Sequence, residues 1–128
     1  MLRLPTGTIT FLLTDVEGSA KLWENYPEAM QLAVSRLDSI IAQSLAAHKG
    51  SLVKPRGEGE SLMMVFKTAL SALQAAYAIE TQCLAENWNP DTPLHLRYAL
   101  YTGEAQLRDG DYFGTTVNRA ARLRAIAH

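Results

Sequence analysis

"SLVKPRGEGESLMMVF" (residues 51–66) decides how this chain folds. Two short apolar runs, "SLVK" and "SLMMVF", flank "PRGEGE", a turn rich in proline and glycine. Such runs, bounded by such punctuation, read as a β-hairpin. A long helical pattern stands on either side of it. Upstream, Pro27 opens a helix through about Lys49. Met30, Val34, Leu37, Ile41 and Leu45 recur there at steps of three and four, which makes one apolar face. Gly50 reads as the stop of that helix. Downstream, "KTALSALQAAYAIETQCLAENW" (67–88) is the second long helix.

Further out, "TITFLLT" (8–14) reads as a buried strand, rich in β-branched and apolar residues. "EGSAKLWENY" (17–26) reads as a turn and short helix with Trp23 packed. "NPDTP" (89–93) is a loop, and "LHLRYALYT" (94–102) is a strand of alternating character. The order strand, helix, strand, strand, helix, strand is the split βαβ, ferredoxin-like arrangement. This is an α+β fold, with a mainly antiparallel sheet and helices on one face. "EAQLRDGDYFG" (104–114) adds a second hairpin pivoting on Asp109-Gly110, and "TTVNRAARLRAIAH" (115–128) adds a last helix.

The 128 residues, 48% of them hydrophobic and 20% charged, fit one globular domain over the whole chain. With 12 basic and 13 acidic residues, a net charge of −1 gives no reason to expect binding to nucleic acid or anionic lipid. A single cysteine, Cys83, excludes an internal disulfide and suits a reducing, cytoplasmic setting. No secretory signal is legible at the N-terminus, and no apolar run approaches the roughly 20 residues needed to span a bilayer. The last helical pattern stops at His128 without a cap, as in a fragment of a longer protein.

Chemistry could sit at two connections. Asp15 ends the first strand, and Glu58 and Glu60 lie in the hairpin turn. In a split βαβ core the first and third strands are neighbours, so these carboxylates can face each other. Two carboxylates brought together repel unless a cation neutralises them, and a few hard oxygen ligands suit Mg²⁺ or Mn²⁺. Alternatively, Asp15 makes an ordinary Asx turn or helix cap, and the two glutamates form a solvated hairpin tip. Asn118 and Arg122 in "NRAAR" stand four apart on a helix. They make either a donor patch for phosphate or ribose oxygens or part of a solvated face. Lys54 and Asp111 offer one donor and one acceptor, enough to read an adenine edge; each is equally an exposed strand-end charge. The three histidines lack ligand spacing, "GEGES" is no Walker A loop, and Ser19, Ser61 and Cys83 have no evident base partner.

Four stretches, "GTITFLLTDVEGSAKLWE", "HKGSLVKPRGEGESLMMVF", "TGEAQLRDGDYFG" and "TVNRAARLRAIAH", occur in an order and spacing that resembles the class III nucleotidyl cyclase catalytic domain. Similarity is greatest to bacterial members fused to signalling or regulatory modules. The resemblance implies conversion of ATP to 3′,5′-cyclic AMP and pyrophosphate by a two-metal mechanism with Mg²⁺ or Mn²⁺. It makes Asp15 and Glu58 the metal carboxylates, with the Val16 carbonyl as a further ligand. Lys54 and Asp111 would read the base, favouring ATP over GTP. Asn118 would orient the ribose, and Arg122 would stabilise the transition state at the α-phosphate. A head-to-tail homodimer is implied, with the metal pair from one copy and Asn118 and Arg122 from the other. It also implies that the chain stops before the last strands of its domain.

Four positions depart from the family pattern. "GEG" stands where the turn normally reads "GDG", so Glu58 carries one methylene more than the usual aspartate. That moves the carboxylate outward by about 1–1.5 Å, and a misplacement of order 1 Å can cost about 100-fold in rate. Pro55 and Arg56 replace small polar residues after the lysine, and Tyr101 replaces a histidine. These departures leave room for another outcome: a degenerate cyclase homology domain that dimerises or binds nucleotide without turnover.

Overall fold

A computed structural model describes residues 7–53, 61–108 and 111–113, with side chains through residue 104. The elements follow as β1 (Gly7–Val16), α1 (Ser19–Asn25), α2 (Pro27–His48), β2 (Ser51–Val53), β3 (Leu62–Phe66), α3 (Ala69–Ala85), β4 (Leu96–Arg108) and β5 (Asp111–Phe113). The sheet order is β2-β3-β1-β4-β5, and every pairing is antiparallel. The first four strands are the expected ferredoxin-like sheet.

β1 is central. It pairs with β3 from Thr10↔Phe66 to Thr14↔Leu62, and with β4 from Gly7↔Ala105 to Val16↔Leu96. Both of its faces are buried, which is why its sequence is a continuous apolar run rather than an alternating one. Leu12 and Val16 join one cluster with α2 and α3, while Ile9, Phe11 and Leu13 join Val53, Met63, Val65 and Ala99 on the opposite face.

On the first face, α2 buries Met30, Ala33, Leu37, Ile40, Ile41, Ser44 and Leu45. α3 buries a row of small residues, Ala72, Ala75 and Ala76, with Ile79 and Cys83. Small side chains let the two helices approach closely. Ser44 exploits this, donating from Oγ to the Ala75 carbonyl at 3.1 Å. Among the described residues, no helix is long and apolar enough to cross a membrane.

Three boundaries differ from expectation. α2 is closed by Lys49, which takes the left-handed conformation with φ 57°, and not by Gly50. Gly50 is needed for space instead: a Cβ there would run into the Phe66 ring and lie 2.7 Å from a Leu45 methyl. α3 is shorter than 67–88. Thr68 caps it by accepting from the Ser71 N–H at 3.1 Å, and beyond Ala85 the Trp88 indole N–H takes the Cys83 carbonyl at 2.9 Å. Finally, β4 runs on without a break into the second hairpin, so that hairpin's first arm is the end of β4. Its register pairs Arg108 with Asp111, and the expected pivot at Asp109-Gly110 lies outside the described residues.

Candidate functional site

Asp15 is the penultimate residue of β1. Alternation along the strand turns its side chain away from α2 and α3, onto the face shared with Leu13 and Ala99. Directly opposite on β4 stands Arg97, and the two side chains meet. Arg97 Nη2 donates to both carboxylate oxygens, at 2.9 Å (Oδ1) and 2.8 Å (Oδ2), and Nε donates to Oδ1 at 3.1 Å. The side chains are 21% exposed for Asp15 and 25% for Arg97, so the pair sits at the rim of the core and not within it. A planar fork on a carboxylate is the strongest common form of such contact. Asp15 is thus neither an Asx turn nor a helix cap. α1 begins after Gly18 and has no side-chain cap.

Val16 buries its side chain against the helices, but its backbone is placed differently. The Glu17 N–H donates to the His95 carbonyl at 2.8 Å, which makes 17 and 95 a hydrogen-bonded pair. Antiparallel pairs alternate, so at 16 the N–H and C=O point away from β4, toward the β3 side. The β3 ladder has already ended there, at Thr14↔Leu62. The Val16 carbonyl therefore faces the sheet beyond the last described β3 pair, beside Asp15.

Lys54, Glu58, Asn118 and Arg122 lie outside the described residues. The strands on either side of 54–60 are described, however. Val53 pairs with Met63, and Met63 pairs with Leu13, two residues before Asp15. β2 thus ends and β3 begins at the Asp15 end of the sheet, on either side of the segment that contains Glu58. Asp111 opens β5 opposite Arg108, at the other end of β4.

Among the described residues, no group of three or more His, Cys, Asp or Glu side chains could hold a metal ion. The donors present do suit a hard divalent cation. They are an anionic carboxylate that already holds a positive group and a carbonyl free of the β4 ladder. Two surface pockets, of about 170 and 140 Å³, are lined by α2, α3 and the segment leading into β4, and contain none of the expected site residues.

Sequence reasoning missed Arg97. Its signal was an arginine in the strand predicted at 94–102, but only the register shows that it faces Asp15. Cys83, which has no evident base partner in the sequence, is 4% exposed. Burial, with Glu80 and Glu86 nearby, pushes its pKa up to about 11, so the reactive thiolate is scarce at neutral pH.

No protein-family model matches the chain. An uncharacterized protein of Mycobacterium tuberculosis is 43% identical over 124 residues, covering 97% of this chain and 41% of that protein. The adenylate cyclase of Neurospora crassa is 32% identical over 148 residues, covering 96% of this chain and 6% of that protein. The solved structure of an adenylate cyclase from Trypanosoma brucei in its monomeric state superposes with a TM-score of 0.86 at 25% identity, covering 99% of this chain and 72% of that one. The structural neighbours are class III adenylate/guanylate cyclase domains, and relatives named adenylate cyclase match most of the chain. The chain spans less than half the length of the mycobacterial relative and a small part of the Neurospora crassa one.

Proposed function

We propose that this cyclase domain, within its full-length protein, converts ATP to 3′,5′-cyclic AMP and pyrophosphate. The observation that supports it best is the position of Asp15. A carboxylate at the end of the central strand, already neutralised by a cation, lies at the same end of the sheet as the strand ends that flank the segment containing Glu58. Asp15, Glu58 and the Val16 carbonyl would hold two Mg²⁺ or Mn²⁺ ions. When bound, these supply neutralisation of the triphosphate and a lowered pKa for the ribose 3′-hydroxyl. The chain's own groups do the rest. Lys54 donates to the adenine ring nitrogen, and Asp111 accepts from the exocyclic amine. Asn118 orients the ribose. Arg122 meets the charge that builds on the α-phosphoryl oxygens as the 3′-oxygen attacks and pyrophosphate leaves.

The same fold supports a second role, a non-catalytic module that dimerises or binds nucleotide. The extra methylene of Glu58 favours it. One experiment decides between them. The full-length protein is incubated with ATP and Mn²⁺, and cyclic AMP is measured beside an Asp15→Ala control. Product in the wild type alone supports the enzyme. ATP binding with no product above the control overturns it. Turnover that rises severalfold or more in Glu58→Asp identifies the methylene as the limiting feature.

A further inference from the structure

We propose that Arg97 is the resident counter-cation of Asp15 and sets how readily a divalent ion takes that carboxylate. The proposal rests on the reading of Asp15 as a metal ligand. An ionised carboxylate has about four acceptor positions on its two oxygens. Arg97 fills three of them, two on Oδ1 and one on Oδ2. An arriving ion must share the oxygens with the guanidinium or shift it, and it does so against like-charge repulsion. With no ion present, the same contact keeps a carboxylate at the rim of the core from being left without compensation. Partial exposure of both side chains leaves the pair open to exchange. Arg97 is therefore a positioning residue with an opposing effect: it aims Asp15 while weakening the grip of Asp15 on a metal.

The test is a Mn²⁺ titration of the whole chain without nucleotide, following the electron paramagnetic resonance signal of free Mn²⁺. Asp15→Asn defines which binding belongs to this site. Removing a unit charge within a few ångströms of a divalent ion is expected to tighten Mn²⁺ binding in Arg97→Gln by roughly tenfold. Arg97→Lys keeps the charge but not the fork, and should fall between wild type and Arg97→Gln. A merely structural role would weaken binding in both variants, so the direction of the change is diagnostic. Binding in wild type with equal or weaker binding in folded Arg97→Gln overturns the role of Arg97 and leaves Asp15 as a ligand. If Arg97→Gln does not fold, unchanged or weaker binding in Arg97→Lys overturns it equally. No Asp15-dependent binding in any folded variant overturns the metal role of Asp15 and this proposal with it.

Discussion

At the scale of single residues, the surroundings of Cys83 and Tyr98 write a pH dependence into the domain. The Cys83 thiol, buried and flanked by Glu80 and Glu86, has a pKa raised from 9.0 to about 11. Tyr98 is also raised, first by burial and then by donating its hydroxyl to Glu80 Oε1 at 2.9 Å. In the unfolded chain both groups lose their protons at lower pH than in the folded one. Their contribution is therefore complete below about pH 9 and is lost as pH rises toward the folded values. For Cys83 this loss is on the order of 2 kcal/mol by pH 11. Urea midpoints measured at pH 8, 9.5 and 11 should fall more steeply in wild type than in Cys83→Ala. Parallel curves would show that the thiol does not contribute. Asp15 gives a different lesson. That it ends a buried strand is plain in "FLLTDVEGS", but its partner is not. Arg97 lies 82 residues away and reaches it only through the pairing of β1 with β4.

At the scale of elements, the join between α2 and β2 is the tightest point on which the sheet depends. Gly50 brings the end of α2 against the Phe66 ring on β3, and its N–H donates to the Leu45 carbonyl at 2.9 Å. Gly50→Ala would drive a methyl into the Phe66 ring and Leu45, both buried. Overpacking of this kind costs about 1–3 kcal/mol, read as a lower urea midpoint with the circular dichroism of the folded state kept. A midpoint equal to wild type would mean that Phe66 yields freely. The elements were legible where periodicity was strong: β1, α2 and the strands on either side of 54–60 stand close to where the pattern places them, while the helix expected at 115–128 lies outside the described residues. Two limits escaped because contacts set them. β4 continues through Gly103, a poor strand former, because its ladder to β1 pairs Gly103 with Ile9 and joins the Thr10 and Thr102 hydroxyls at 2.7 Å. α3 stops at Ala85 although helix-compatible residues follow, because Trp88 turns back onto the Cys83 carbonyl.

At the scale of the whole molecule, the sheet itself argues for a shared site. Asp15 pairs with Arg97, while Asp111 pairs with Arg108, eleven residues further along the same strand. At about 3.3 Å per residue that is roughly 36 Å, too far for one ATP to touch both within one chain. If both groups serve one nucleotide, two copies must supply them head to tail, as the proposed cyclase function requires. Complementation tests this. Asp15→Asn removes the proposed metal carboxylate and Arg122→Ala removes the proposed transition-state arginine, so each full-length variant alone should be inactive. Mixed and allowed to exchange subunits, they form heterodimers in which one site carries both changes and the other carries neither. With random pairing, half of the dimers hold one intact site of two, so activity should recover to roughly a quarter of wild type. The value should be reached slowly, as subunits exchange, and fall on dilution below the dimer constant. If both variants are inactive alone and no activity returns while exchange is shown by a labelled subunit, the site is not shared between copies.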